Sequence, residues 1–270
     1  MISDITFGQY FPCNSVLHKM DPRVKFIIML ASIVFLFLVK SSFALGLVAL
    51  FVIISIIASK IPLKLYVKNL KAILPIIILT AIINSLYIND GRLLFSWWIF
   101  NITVGGISRA LFMAVRIALL IFISATLTYT TTPNDLTDGI ESLCTPLKFL
   151  GLGSLIHILT MMMTIALRFI PTLVEETQKI INAQKARGAD IENGGIVSRV
   201  KALVPILIPL IILSVRRAYD LAEAMECRCY NGGIGKQRMK KFKIRYFDIL
   251  ALILTTIFGT GVVLLNIFMR

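Results

Sequence analysis

Long uncharged apolar runs constrain this chain more than any other feature of its sequence. Several of these runs approach the roughly 20 residues that a helix needs to cross a bilayer. Charged residues make up only 16% of the chain, against about 25% in soluble domains, so a soluble core could not bury so much apolar surface. In lipid, a helix satisfies its backbone hydrogen bonds within one segment. The sequence therefore predicts an all-α, polytopic membrane protein.

Five apolar segments are predicted to be membrane helices, and the basic residues beside them predict their orientation. The stretch from Lys60 to Lys71 carries four lysines and no acid, which places it in the cytoplasm. The N-terminus is then expected inside the cell. The first segment has no small-residue cleavage site after it, so it is expected to be a retained helix and not a signal peptide. The five segments are Phe26–Val39, Phe43–Ser59, Ala72–Ile88, Val104–Thr128 and Phe247–Met269.

Acidic residues divide the chain into three parts. Ten of the 14 acids lie within residues 131–245, whereas three precede this part and one follows it. We therefore expect N-terminal transmembrane helices in residues 1–130 and a C-terminal transmembrane helix in 246–270. The part between them is expected to be a coupling module of long amphipathic helices, in the cytoplasm or at its membrane interface.

Two apolar runs inside this middle part leave its topology open. Phe149–Leu167 is long enough to span, whereas Ala202–Val215 is shorter and contains two prolines, which favours a buried or re-entrant segment. If both runs spanned the membrane, Arg187 and Arg228 would lie on opposite sides of it. If neither did, both arginines would face the cytoplasm.

A short sequence pattern occurs twice in the middle part. Alignment of Arg187 with Arg228 offsets the two copies by 41 residues. The other aligned pairs are Ile180 with Leu221, Ala183 with Ala224, Ala186 with Cys227 and Gly188 with Cys229. Small flanking residues let another chain approach closely, so that each guanidinium can contact a carboxylate or exposed carbonyls of a partner. Two such points indicate two docking sites, as on a dimer of similar subunits.

Each arginine is predicted to end an amphipathic helix. The first helix covers residues 172–187, with Pro171 in a first-turn position and Gly188 as its stop, and the second covers roughly Val215 to Cys229. A basic residue at the C-terminal end of a helix also complements the macrodipole. The alternative is two surface helices whose last turns merely contain an arginine.

The remaining sequence features argue against several functional classes. The formal charge of +14 largely flanks the spans, as the positive-inside bias requires, so nucleic-acid binding is not expected. The stretch "YNGGIGKQ" departs from a phosphate loop, since Tyr230 and Gln237 replace essential residues, and we expect a glycine turn and no ATP hydrolysis by this chain. We find no catalytic set and no metal-spaced cluster, and therefore expect no enzyme activity, cofactor or metal.

Arg116 lies near the centre of the fourth predicted span and has two interpretations. As a functional residue it would contact a substrate or a gate, which suits a self-sufficient secondary transporter. As a structural residue it would bond to helix carbonyls inside the bundle, and we favour this interpretation. Acids are absent between Asp21 and Asp90, which further weakens an ion-coupled transporter.

Five stretches resemble the transmembrane (T) component of energy-coupling factor (ECF) transporters, the EcfT/CbiQ family. The pattern Ala-Gln-x-Ala-Arg-Gly, followed about forty residues later by Ala-Met-Glu-x-Arg-x-Tyr, is specific in combination. The stretches are "SVLHKMDPRVKF" at 15–26, "TTTPNDLTDGIESLCTPL" at 130–147, "IALRFIPTLVEE" at 165–176, "AQKARG" at 183–188 and "RRAYDLAEAMECRCY" at 216–230.

The resemblance implies a non-catalytic scaffold in a bacterial or archaeal cell membrane. Two ATP-binding-cassette subunits would hydrolyse ATP, and a membrane-embedded S component would capture a vitamin or metal ion. The resemblance assigns ATPase docking to the triplets Ala186-Arg187-Gly188 and Cys227-Arg228-Cys229, both in the cytoplasm. The second triplet departs from Ala-Arg-Gly, and Cys229 is not expected to adopt the backbone freedom of glycine.

Overall fold

The structure is a computed structural model, and it describes residues 10–87, 93–97, 100–145, 153–189, 195–231 and 244–268. Within these ranges the chain forms nine helices and one small antiparallel ribbon. The helices are α1 (Val16–Lys19), α2 (Pro22–Leu38), α3 (Ser42–Ser59), α4 (Leu63–Tyr87), α5 (Val104–Thr130), α6 (Pro133–Leu143), α7 (Gly153–Ala186), α8 (Ile196–Cys227) and α9 (Tyr246–Phe268). The ribbon pairs β1 (Leu93–Trp97) with β2 (Phe100–Thr103).

The prediction of an all-α, polytopic membrane protein is confirmed. Six of the described helices are long and apolar enough to cross a membrane: α3, α4, α5, α7, α8 and α9. Helix α2, with 17 residues, is near the lower limit of about 17 residues for a spanning helix. The short ribbon between α4 and α5 was not predicted from the sequence.

The chain divides into two compact units. The bundle unit consists of Gly8–Gly139 and Phe242–Arg270, and the paired-helix unit is centred on Ile140–Lys241 and contains α7 and α8. In the bundle unit, α4 packs on α5, α2 packs on α9 and α5, and α3 packs on α5. That the middle part of the chain lies in the cytoplasm or at its interface stays a prediction.

The bundle unit has a buried apolar core that α3 supplies along one face. Its buried residues recur at helical spacing, so this face is turned inward along the whole helix. They are Ala44, Leu45, Val48, Val52, Ile56 and Ser59. The completely buried Leu36 and Val39 at the end of α2 join the same core.

Buried polar groups connect the starts of α2 and α9 to the end of α5. Asp248 is 1% exposed, and its carboxylate accepts hydrogen bonds from the backbone N–H of Asp21 (3.2 Å) and of Arg245 (2.7 Å). The Lys25 Nζ donates to the carbonyl oxygen of Thr130 at 2.9 Å. Because buried polar groups are costly unless they are hydrogen-bonded, these contacts fix which helix ends meet.

Three prolines lie inside long helices and not at their ends. Pro171 is within α7, and Pro205 and Pro209 are within α8. The prediction that Pro171 occupies the first turn of a helix is therefore wrong. The run with the other two prolines lies within one continuous helix, and its buried or re-entrant placement stays a prediction. A proline removes one helical hydrogen bond, and in long apolar helices the neighbouring turns and helices can compensate for that loss.

Candidate functional site

Arg187 stands at the C-terminal end of α7, where two backbone hydrogen bonds close the helix. The N–H of Gly188 donates to the carbonyl oxygen of Lys185 at 3.0 Å, and the N–H of Ala189 donates to that of Gln184 at 3.0 Å. Gly188 has a φ of +85°, in the left-handed region. This pair of bonds around a left-handed residue is a Schellman motif, which satisfies carbonyls that the helix end leaves open.

Arg228 stands at the end of α8 in the same geometry. The N–H of Cys229 donates to the carbonyl oxygen of Glu226 at 2.8 Å, and the N–H of Tyr230 donates to that of Met225 at 3.0 Å. Cys229 has a φ of 52°, so it occupies the left-handed position that Gly188 occupies in the first copy. The sequence repeat is therefore also a repeat of backbone structure.

Cys229 adopts the left-handed conformation although, as a residue with a Cβ, it lacks the backbone freedom of glycine. A residue with a Cβ pays roughly 1–2 kcal/mol in the left-handed helical region. The two cap hydrogen bonds of the second copy close across Cys229 as they close across Gly188, and they hold the residue there despite this cost. The difference between the triplets is thus one of conformational energy and not of backbone shape.

All six residues of the two triplets are exposed. Each arginine is flanked by side chains no larger than a cysteine, and the two cysteines are free thiols at the surface. The residues are Ala186, Arg187, Gly188, Cys227, Arg228 and Cys229. Each helix end therefore offers a guanidinium that another chain can reach without displacing neighbouring side chains.

Glu176 and Arg217 join α7 to α8, and sequence reasoning did not identify this contact. The carboxylate of Glu176 accepts a hydrogen bond from Nη2 of Arg217 within the paired-helix unit. The sequence pattern placed Glu176 on the polar face of its predicted helix and assigned no face to Arg217. Their separation of 41 residues, equal to the offset of the repeat, is the signal that could have found them.

Arg116 is bonded inside the bundle unit, as the structural interpretation predicted. Its Nη2 donates to the carbonyl oxygen of Val39 at the end of α2, and its guanidinium lies 4.7 Å from the ring centroid of Phe112. Asn266 of α9 donates to the neighbouring carbonyl oxygen of Leu38 at 2.9 Å. Two other helices thus provide side-chain donors for the last carbonyls of α2.

The glycine turn predicted in "YNGGIGKQ" lies almost entirely outside the described residues, which include only Tyr230 and Asn231 of this stretch.

Comparison with known proteins shows the family of this chain. The family model described as a cobalt transport protein, CbiQ, matches residues 13–241. The energy-coupling factor transporter transmembrane protein EcfT of Ruminiclostridium cellulolyticum is 48% identical over 98% of both chains. The EcfT protein of Clostridium kluyveri is 49% identical over 93% of both chains. That of Bacillus subtilis is 40% identical over 89% of this chain and 90% of the relative. The chain therefore belongs to the CbiQ/EcfT family of transmembrane components of energy-coupling factor transporters.

Proposed function

We propose that this chain is the coupling subunit of an ATP-driven importer, in which Arg187 and Arg228 dock on two ATP-binding-cassette subunits. The observation that carries the proposal is the repeated helix end: two exposed arginines, each after a long helix and each closed by the same backbone cap. Two equivalent docking points suit a pair of similar ATPase subunits. Nucleotide-driven movement of those subunits would then displace α7 and α8.

The other partner is a membrane-embedded S component that carries a vitamin or a metal ion. Helices α7 and α8 support this part of the proposal, because each exposes large apolar side chains over part of its length, within residues 155–163 of α7 and 203–219 of α8. Examples are Leu159 and Met162 on α7, and Leu207 and Ile212 on α8, each more than half exposed. Apolar faces of this extent mark contact with lipid or with another membrane protein.

The proposed topology places both arginines and the N-terminus in the cytoplasm. Docking on cytoplasmic ATPases requires both helix ends on that side of the membrane. The lysines between Lys60 and Lys71 support the same orientation. The chain itself would perform no catalysis, and ATP would be hydrolysed by its partners.

A self-sufficient secondary transporter is the alternative, and Arg116 is the residue that it would use. Such a transporter needs a charged group that faces a substrate path. The Arg116 guanidinium instead bonds to a carbonyl oxygen at the end of α2 and lies over Phe112. This placement favours the coupling subunit.

Purification of the tagged chain from its own membranes tests the proposal. We expect two ATP-binding-cassette subunits per chain, identified by mass spectrometry, together with ATP hydrolysis. Substitution of both Arg187→Glu and Arg228→Glu should abolish the association, because each docking contact then repels a carboxylate or carbonyl oxygen instead of binding it.

A matched control changes the same number of charges away from the helix ends. Lys179→Glu with Lys201→Glu alters one exposed residue on each helix, and this variant should keep both ATPase subunits. A wild-type chain that purifies without any ATPase, or an arginine double variant that retains both subunits, would contradict the proposal.

A further inference from the structure

The contact between α7 and α8 joins equivalent positions of the sequence repeat. Glu176 and Arg217 are 41 residues apart, and so are Arg187 and Arg228. A position in α7 therefore contacts its own counterpart in α8. The two copies of the repeat therefore meet in the same register, at the Glu176–Arg217 contact.

The two arms that extend from this point have equal length. Arg187 follows Glu176 by eleven residues, and Arg228 follows Arg217 by the same number. Eleven residues correspond to about 16 Å of helix and to slightly more than three full turns, so each docking arginine lies on nearly the same side of its helix as the ion-paired residue. The matching caps at Gly188 and Cys229 keep the ends of the arms alike.

The ion pair lies in a part of the two helices that has no fully buried side chain. This holds for residues 171–189 of α7 and its cap, and for residues 207–231 of α8 and its cap. The side chain of Glu176 is nevertheless only 14% exposed, and that of Arg217 is 32% exposed. The charged contact therefore stands out among partly exposed neighbours, and it helps to fix one helix against the other.

Loss of either partner would leave an unfavourable group behind. The second carboxylate oxygen of Glu176 is buried and has no hydrogen-bond partner in the described part of the chain. Without Arg217 the whole carboxylate would therefore be poorly solvated and unpaired. Two long side chains can also keep their contact while the helices rotate, which interlocked apolar side chains in a tight core cannot do.

We propose that the Glu176–Arg217 ion pair is the pivot between two equal arms and transmits displacement from one docking arginine to the other helix. The proposal rests on the proposed function, because it assumes that Arg187 and Arg228 dock on ATPases. Glu176 and Arg217 are positioning residues: they contact neither nucleotide nor substrate. Their role is to make α7 and α8 move together when the ATPases open and close.

Hydrogen exchange in the assembled complex tests the pivot. The complex is compared with Mg²⁺–ADP and with a non-hydrolysable ATP analogue, and the exchange difference is measured for residues 153–170 of α7 and 201–212 of α8. In the wild type we expect the nucleotide to change exchange in both segments. In Glu176→Gln and in Arg217→Gln that difference should fall about fivefold or more, as for the loss of an ordinary coupling free energy.

Matched variants separate the pivot from a general effect of charge. Glu175→Gln and Arg216→Gln remove the same charges one residue earlier, at exposed positions with the same 41-residue offset, and should leave the nucleotide effect unchanged. The charge-swapped variant, Glu176→Arg with Arg217→Glu, restores an ion pair of opposite polarity. It should recover at least about half of the difference, since the attraction is the same in either direction.

The outcomes distinguish this inference from the proposed function. If ATPase subunits bind the Glu176→Gln complex normally and the exchange difference persists, the pivot is wrong and the docking proposal stands. If no ATPase binds the wild-type chain, the docking proposal itself fails. If a single variant does not reach the membrane, the charge-swapped variant decides alone: a restored difference supports the pivot. If the charge-swapped variant assembles without a restored exchange difference, or does not fold, the ion pair has only a structural role. Either result overturns the inference.

Discussion

Three helices of the bundle unit bury a much larger share of their residues than the two long helices of the paired-helix unit. In the α3 span 33% of the residues are buried, and in the α5 and α9 spans 22%, whereas the value is 6% in α7 and α8, and also in α4 of the bundle unit. In the bundle unit, other helices of the same chain therefore cover much of the surface of α3, α5 and α9. The long helices of the other unit leave most of their apolar residues to lipid or to other proteins. The chain itself therefore covers α3, α5 and α9 far more than it covers α7 and α8.

The largest expected effect comes from the buried carboxylate of the bundle unit. Asp248→Ala leaves the buried backbone N–H group of Asp21 and the partly buried one of Arg245 without an acceptor. The free energy of unfolding should fall by roughly 2–4 kcal/mol, because each unsatisfied buried donor costs about 1–3 kcal/mol. Thermal unfolding of the purified chain in detergent measures this loss.

Asp220→Ala on α8 is the control for Asp248→Ala. Asp220 is exposed, so its removal should change the melting temperature little. Equal destabilisation by the two substitutions would break the comparison, since it would mean that both units depend equally on their own polar contacts.

A smaller effect is expected where α9 packs against α2. A Cβ added at Gly259 would collide with the ring of Phe35, whereas one added at Gly261 meets nothing within 4 Å. Gly259→Val should therefore destabilise the bundle unit by about 1–3 kcal/mol, the usual cost of an overpacked contact. Gly261→Val in the same helix has the same change in helix propensity and isolates the collision. The difference between their melting temperatures measures it, and equal values would show that α9 is free to shift.

The smallest expected effects sharpen the comparison between the two capped helix ends. Gly188→Ala should weaken the α7 cap by about 1 kcal/mol, because the left-handed conformation penalises a Cβ. Cys229→Gly should strengthen the α8 cap by less than about 1 kcal/mol, since relief of strain is partly offset by the greater freedom of glycine in the unfolded chain. Hydrogen exchange of the cap amides measures both changes.

Cys227→Gly provides the control for the second cap. This residue ends the helical part of α8, where glycine costs stability, so exchange of the cap amides should accelerate and not slow. If Cys229→Gly also accelerated exchange, the left-handed conformation of Cys229 would carry no strain, and the two docking points would be energetically equal.

The sequence located α3, α5 and α9 to within about two residues, but it began α4 at Ala72 instead of Leu63 and identified few contacts between helices. The predicted span Phe43–Ser59 differs by one residue from α3, and Val104–Thr128 by two residues from α5, because uninterrupted apolar runs determine such helices locally. The end of α7 was predicted at Arg187 from the glycine that follows it, within one residue of the observed end at Ala186.

The features that were missed depend on residues far apart in the chain. Pro171 reads locally as a helix start, and only the surrounding long helix overrides that signal. The acceptor role of Asp248 requires a backbone N–H group 227 residues away. The partner of Glu176 is fixed by how α7 and α8 meet, which no hydropathy pattern contains.

The caps at the two helix ends have a consequence for how such chains are recognised in genomes. Their hydrogen bonds join backbone atoms alone, so a cap can keep its shape while the side chain within it changes, as Cys229 demonstrates. A search pattern that requires glycine after each arginine would overlook the second helix end of this protein, where Cys229 follows Arg228. A pattern that instead asks for two arginine-ended helices at a fixed offset would find both helix ends. It would also allow substitutions within the cap, because the cap hydrogen bonds do not depend on side chains.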